Sequence, residues 1–429
     1  MVNKISKIPC LSKIHPDFRR LAKSAKEIVY FYTFFDLHSY LNKKYTKFST
    51  KMRKGIPRKE TMNYKKTSGR ILVLANRDFV LYNFRIELLE RLMQEKYEVF
   101  ICLPNGPKVE YMTKLGCHFI PVEIDKRGTN PIKDAKLLYT YKRIFQDIKP
   151  EIILTFTTKV CIYAGIIAGH MKIPYLMNIS GLGTALEQRS LLQPFMICLY
   201  KKAAAKAKCV FFQNEENRQF FKEHNMHKGK EKLIPGSGVN LDKWKYLEYP
   251  NDDNGITFLF IARIIKEKGI EEYLACAEVI KKEFPNTFFH VLGPCDGTYE
   301  TVLAEYEKQG IIQYHGEVNN TAEYLKIAHC TIHPSYYPEG ISNVLLESAA
   351  SGRPVITTDR SGCRETVDDK ITGFCFETQN KEQLIKCVRD FLHLSNKERK
   401  NMGQNGRKKM ERIFNREIVI QEYIKELED

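Results

Sequence analysis

The chain has 429 residues, 43% of them hydrophobic, enough for two or three domains of ordinary size with substantial cores. Its 12 cysteines stand singly with no Cys-x-x-Cys, a pattern that argues against a disulfide framework or a zinc site and for reduced thiols. The net charge of +17 is uneven: Met1 to Gly69 carries 17 Lys and Arg against 4 Asp and Glu, which leaves +4 for everything after it. A nucleic-acid binder would need a basic folded part and a recognisable motif, and neither is present. The extension itself calls for an anionic partner.

Within that extension, Phe18, Leu21, Ala22, Ala25, Ile28, Val29 and Tyr32 share one helical face, while Arg19, Arg20, Lys23 and Lys26 fall elsewhere. This is the pattern of a basic amphipathic helix at a membrane interface, followed by a lysine-rich stretch from Lys51 to Lys66. The first apolar run, Ile28 to Phe35, is too short and too late for a secretory signal, and no run of about 18 apolar residues exists for a membrane span. A cytoplasmic location, peripheral on the inner face of the cell membrane, is therefore expected. Met62 offers an alternative start shortly before the first strand.

From Gly69 onward, short apolar runs alternate with helical segments. Strands are expected at Ile71–Ala75, Val99–Leu103, Phe119–Val122, Ile152–Phe156, Tyr175–Ile179 and Cys209–Gln213, with helices at Tyr82–Glu95, Val109–Leu115 and Lys136–Ile148. A turn-rich stretch at Leu233–Leu241 marks a boundary. A second series follows: strands at Ile256–Ala262, Phe288–Leu292, Ile311–Tyr314, Cys330–His333 and Pro354–Thr358, and helices at Ile270–Glu283, Thr321–Ala328 and Asn343–Ser351. The pattern predicts an α/β chain of two doubly wound, Rossmann-like domains. The expected division is a basic helical extension (1–69), an acceptor domain (70–240), a donor domain (241–410) and a C-terminal helix (411–429) returning to the first domain. Ligands of such sheets bind at the carboxyl ends of strands, and here the natural place is a cleft between the two.

Two motifs carry chemistry. In Ser335–Pro354 a strand leads through an aromatic loop to Glu339-Gly340, a helix expected to be capped by Ser342, Glu347 in its first turns, and a Gly352-x-Pro354 stop. The helix start suits a diphosphate, and the roughly 12 Å between the two carboxylates suits opposite ends of one sugar nucleotide. Glu347 can grip a ribose and Glu339 the transferred sugar. In Phe258–Gly269 a strand delivers Arg263 and Lys268 to the same edge, where they would stabilise charge on a departing diphosphate. Either motif alone could be ordinary solvated charge; together on one predicted sheet they are specific. His224 and His227, lacking a third ligand nearby, read as surface residues.

On these residues the chain resembles family 4 glycosyltransferases of the GT-B fold, whose two Rossmann domains face across a cleft. The resemblance rests on Ala-Arg-x4-Lys-Gly at Ala262–Gly269, Glu-Gly-x6-Glu at Glu339–Glu347, Gly362–Glu365, Tyr82–Arg85, Asn178–Gly183 and Gly236–Asn240. It is closest to the bacterial subgroup acting on undecaprenyl-diphosphate-linked sugars for capsule, O-antigen or N-glycan precursors. It implies a retaining transfer from a nucleotide sugar, UDP the expected nucleotide, to a lipid-linked sugar acceptor. Arg263 and Lys268 would bind the diphosphate; Glu339, Gly340, Ile341 and Ser342 the donor sugar and phosphates; Glu347 the ribose; and the stretch reaching Val318 the base. Some relatives place a His where this chain has Asn178–Gly181, so Ser180 or the Gly181 amide is a candidate in its stead. The acceptor candidates are Arg77, Arg85, Lys159 and Ser180. With no Asp-x-Asp triplet anywhere, no metal and no cofactor beyond the nucleotide-sugar co-substrate are expected. The alternative of the same fold is a sugar-nucleotide 2-epimerase.

Overall fold

A computed structural model describes residues 69–125, 130–183, 186 and 192–428. The predicted amphipathic helix and the lysine-rich stretch of the extension lie outside these residues. The described residues form two compact units, one made from those of Met1–Asn178, Ala185–Val210 and Phe221–Glu231, the other from those of Ile179–Thr184, Phe211–Phe220 and Lys232–Asp429.

The first sheet has seven strands: β1 (Gly69–Leu74), β2 (Tyr97–Leu103), β3 (His118–Pro121), β4 (Ile152–Phe156), β5 (Tyr175–Ile179), β6 (Cys209–Phe212) and β7 (Glu231–Leu233). Their order is β3-β2-β1-β4-β5-β6-β7, so the chain reverses direction across the sheet between β1 and β4. The helices between them are α1 (Asp78–Phe84), α2 (Ile86–Gln94), α3 (Val109–Lys114), α4 (Pro131–Ile148), α5 (Thr158–Met171), α6 (Leu192–Ala204) and α7 (Glu215–Glu223). Strands β4 and β5 are buried along their whole length, as their mostly apolar sequences, interrupted only by Thr155 and Asn178, require of a parallel sheet covered on both faces.

The helix predicted over Tyr82–Glu95 is instead two, α1 and α2, broken at Arg85 (φ −142°). Arg85 turns inward, donates Nη1 to the Phe84 carbonyl at 2.6 Å and lies 4.9 Å over the Phe156 ring. Burying the guanidinium on an aromatic face and a carbonyl takes precedence over continuing the helix.

The second sheet has six strands, parallel throughout: β8 (Ile256–Ile261), β9 (Thr287–Leu292), β10 (Gln313–Tyr314), β11 (Cys330–His333), β12 (Val355–Thr358) and β13 (Gly373–Phe376). The order β10-β9-β8-β11-β12-β13 places its reversal between β8 and β11. The covering helices are α8 (Ile270–Glu283), α9 (Glu300–Lys308), α10 (Thr321–Ile327), α11 (Asn343–Ala350), α12 (Lys381–His393) and α13 (Asn396–Arg412); the last helix, α14 (Arg416–Glu428), packs its Tyr423 ring 4.5 Å from that of Phe211 and pairs Glu422 and Glu426 with Lys232. On one face Phe258, Phe260, Tyr273, Ile280, Phe289 and Phe391 pack together. Each such large side chain contributes roughly 1.5–3 kcal/mol by leaving water. Tyr273 stays inside because its hydroxyl donates to the Phe258 and His290 carbonyls. On the other face Leu259, Leu292, Ile341, Leu346 and Ala349 form a second cluster, which carries α11.

Arg353, in the predicted Gly-x-Pro stop after α11, is fully buried. Its guanidinium donates to the carbonyls of Leu325, Leu247, Ser351, Glu248 and Lys326 at 2.7–3.4 Å. One side chain thereby satisfies carbonyls from three segments. Replacing it by Leu takes the guanidinium donors away from these carbonyls, of which, among the described residues, only that of Ser351 keeps another donor, the Leu247 amide, so Arg353→Leu is expected to cost about 3 kcal/mol or more. Urea unfolding followed by circular dichroism measures this.

Candidate active site

In each sheet the reversal point opens a crevice at the strand ends, because the loops from the two flanking strands leave in opposite directions. In the second sheet those strands are β8 and β11, and they deliver the two motifs singled out in the sequence. After β8 comes Arg263, then a single 3-10 turn, Lys266–Lys268. Gly269 ends that turn at φ +77°, and a Cβ there would meet the Pro334 carbonyl at 2.2 Å. Only glycine lets the two loops come this close.

The loop after β11 is tied to that turn. The Tyr336 amide donates to the Glu267 carbonyl at 3.0 Å. From β12, Thr357 donates to the His333 carbonyl and Thr358 to that of Ser335. Tyr337 is thus fixed between the cations, with the Arg263 guanidinium 5.6 Å and the Lys268 ammonium 5.1 Å from its ring centre. Arg263 is exposed, whereas Lys268 is buried. The Lys268 Nζ pairs with Glu339 Oε1, joining the predicted diphosphate ligand to the predicted sugar ligand. Burial first, and then Arg263, push the Lys268 ammonium down to about 8. The carboxylate seated against it favours the charged form.

Glu339 and Gly340 are held by their backbone. Asn214 donates Nδ2 to both of their carbonyls, at 3.0 and 2.7 Å, while its Oδ1 accepts from the Asn217 amide at 2.9 Å. The Ser342 amide donates to the Gly362 carbonyl at 2.8 Å. Gly362 has φ +92°, and a Cβ on it would meet the Gly340 carbonyl at 2.6 Å. Ile341 packs into the apolar cluster under α11, and Val318 lies at the edge of the same cluster.

Ser342 does sit at the N-cap of α11, but its side chain makes no capping bond. Its Oγ lies instead 3.2 Å from His333 Nε2. The sequence expectation of a side-chain cap is corrected accordingly: the N-terminal amides of α11 keep their free valences and the positive end of the helix dipole. One turn on, half-buried Glu347 has its carboxyl pushed up to about 7 by its packed surroundings, with Lys243 and Arg416 pulling it back.

The first unit presents its candidates differently. Arg77, at the end of β1, is exposed. Lys159, after β4, is committed internally: its Nζ is 2.7 Å from Asp134 Oδ1 and donates to the Asp125 carbonyl at 2.8 Å. Tyr163 holds the other Asp134 oxygen at 2.8 Å. Arg85 is buried as described. Neither therefore offers the exposed cation that the sequence reading assumed. Ser180, in the second unit, is exposed. Sequence reasoning missed Asn214 and His333. No local signal marks Asn214, since its partners lie 125 and 126 residues away. His333, the last residue of a predicted strand leading into the motif loop, was open to notice as a polar residue where an apolar one is usual.

Glu347 generates a pH prediction. An ordinary carboxyl value of 4.5 rises to about 7 in the fold, so the folded protein holds this proton more tightly than the unfolded chain. The stability it confers is complete below pH 4.5 and lost as pH rises through about 7. Glu347→Gln, which never ionises, is expected to gain in melting temperature relative to wild type between pH 5 and pH 8. Paired thermal melts across that range check the direction.

Comparison with known proteins places the two halves of the chain in known families. Residues 245–409 match the family "Glycosyl transferases group 1", and residues 70–214 match "Glycosyl transferase 4-like". A Campylobacter jejuni N,N'-diacetylbacillosaminyl-diphospho-undecaprenol alpha-1,3-N-acetylgalactosaminyltransferase is 26% identical over 83% of this chain and 97% of its own length. An Escherichia coli UDP-Gal:alpha-D-GlcNAc-diphosphoundecaprenol alpha-1,3-galactosyltransferase is 23% identical over 71% of this chain and 82% of its own. Among solved structures, Anabaena HepE in complex with UDP and glucose superposes with a TM-score of 0.67 at 14% identity, covering 84% of this chain and 99% of that one.

Proposed function

Because the chain belongs to the family 4 glycosyltransferases of the GT-B fold, we propose that it moves a sugar from a UDP-sugar to a sugar carried on an undecaprenyl-type diphosphate. The product would enter bacterial surface polysaccharide or glycan synthesis. The observation that carries this reading is the gathering of Arg263 and Lys268 around Tyr337, with Glu339 against Lys268, beside the uncapped start of α11. Two cations and open helix amides at one strand edge are suited to a diphosphate. The lipid-linked acceptors and the UDP-Gal donor in the relatives' names support the substrate classes.

In this reading the bond from the anomeric carbon to the diphosphate breaks while the acceptor oxygen bonds that carbon on the same face. The departing diphosphate oxygen takes the acceptor's proton, so no side-chain base is required. The alpha-1,3 linkages in both relatives' names fit such a retaining course from an alpha-linked donor. Arg263 and Lys268 act most strongly as negative charge accumulates on the leaving group. Glu339, positioned by Lys268 and by Asn214 through its backbone, accepts sugar hydroxyls, with the Gly340 and Ile341 amides alongside. Glu347 accepts the ribose hydroxyls, and the backbone near Val318 faces the base. The cation pair supplies the counter-charge that a metal supplies in Asp-x-Asp enzymes, so transfer should persist in EDTA. Of the acceptor candidates, Arg77 and Ser180 are the exposed ones.

Among the described residues no helix is long and apolar enough to cross a membrane. Peripheral attachment is assigned to the basic extension, each cation near an anionic leaflet adding roughly 1 kcal/mol. Epimerisation, the alternative, needs no acceptor, and no observation favours it.

The test is transfer from radiolabelled UDP-sugars to undecaprenyl-diphosphate-linked acceptors, with and without EDTA. Arg263→Ala and Lys268→Ala are expected to lose roughly 100-fold or more in kcat/KM. Unimpaired transfer by Glu347→Ala would sink the donor-site assignment. Turnover of the sugar nucleotide without acceptor would favour the epimerase.

A further inference from the structure

His333 and Ser342 meet in a buried pocket, 1% and 2% exposed, and their contact is one hydrogen too rich. A neutral imidazole brings one N–H and serine brings one O–H, yet a single hydrogen bond joins them. His333 Nδ1 has no partner among the described residues. The serine's backbone is fully engaged: its amide donates to Gly362, and its carbonyl accepts from the Leu346 amide at 3.3 Å. Whichever way the bond between the side chains runs, one buried donor hydrogen is left without an acceptor.

The two arrangements are not equal. With the proton on Nδ1, an orphaned N–H sits in the interior, which folded proteins rarely tolerate. With the proton on Nε2, the imidazole donates to Ser342 Oγ, Nδ1 keeps only an unused lone pair, and the free hydrogen is the serine hydroxyl's. That hydroxyl stands at the N-cap of α11, next to amides whose own cap it has forgone. An anion at the helix start would satisfy it.

We propose that the Ser342 hydroxyl donates to a diphosphate oxygen of the nucleotide sugar, and that His333 is a positioning residue that aims it by donating Nε2–H to Ser342 Oγ. By occupying a serine lone pair, His333 weakens Oγ as a cap for its own helix. Thus it keeps both the hydroxyl hydrogen and the helix amides available to the phosphates. Because the pocket is nearly closed, a bond formed there is little screened by water. The inference deepens the donor-site reading and rests on it.

The experiment measures binding by isothermal titration calorimetry. Wild type, Ser342→Ala, His333→Gln and His333→Leu are each titrated with UDP, ADP and GDP, and with the parent nucleoside of whichever diphosphate the wild type binds. Ser342→Ala is expected to weaken the diphosphate roughly tenfold, the size of one hydrogen bond to a charged group, and to leave the nucleoside unchanged. His333→Gln, whose amide can still donate to Ser342, should stay within about threefold of wild type. His333→Leu should match Ser342→Ala, and Ser342→Ala combined with His333→Leu should be no worse than either. If His333→Leu does not fold, Ser342→Ala and His333→Gln decide the matter. Equal loss of nucleoside and diphosphate in Ser342→Ala, or no loss of diphosphate, overturns the inference while the donor site stands. Wild-type silence toward all three diphosphates overturns the donor-site reading itself, and the inference with it.

Discussion

The site depends on one close approach: the turn after β8 packed against the loop after β11. Gly269 permits it, since any Cβ there would run into the Pro334 carbonyl. From this contact follow the positions of Tyr337, of the two cations around its ring and of Glu339 beside Lys268. The approach occurs where the second sheet reverses direction, the one place in such a sheet where neighbouring loops diverge and leave a crevice. The fold supplies the crevice, and glycine lets the chemistry into it.

The rest of the second unit reads as support for that geometry. Asn214 and Gly362 fix the backbone of Glu339, Gly340 and Ser342 from opposite directions in sequence. Arg353 anchors the far end of α11 by meeting five carbonyls, so the helix whose start faces the proposed diphosphate is held at its other end by a buried cation. A buried guanidinium tied to neutral carbonyls and lying 5.7 Å over the Tyr249 ring is costly to place and costly to remove, which makes it effective for fixing one arrangement of the chain.

Lys268 and Glu339 illustrate how pairing changes the meaning of a motif. Read separately, one residue binds phosphate and the other binds sugar. In the structure they share a partly dry contact, so removing either leaves the other's charge uncompensated. Their charges are therefore coupled, and a variant at one position reports on both.

Much of this was legible in the residues. Strand and helix alternation follows from local apolar periodicity, and β11 ends at His333 as the expected strand Cys330–His333 indicated. Glycine and proline mark turns by constraints that act within a few residues, which is why the stop after α11 was readable. The spacing of Arg263, Lys268, Glu339 and Glu347 could be read for the same reason, since it needs only a strand, a turn and a helix. What required the tertiary structure was every contact between distant segments. The break at Arg85 depends on the ring of Phe156, and the commitment of Lys159 on a buried Asp134. Asn214 reaches Gly340 across 126 residues. The diversion of the Ser342 hydroxyl to His333 reversed a local rule, because a buried imidazole competes with helix amides for the same oxygen and only the packed structure brings it there.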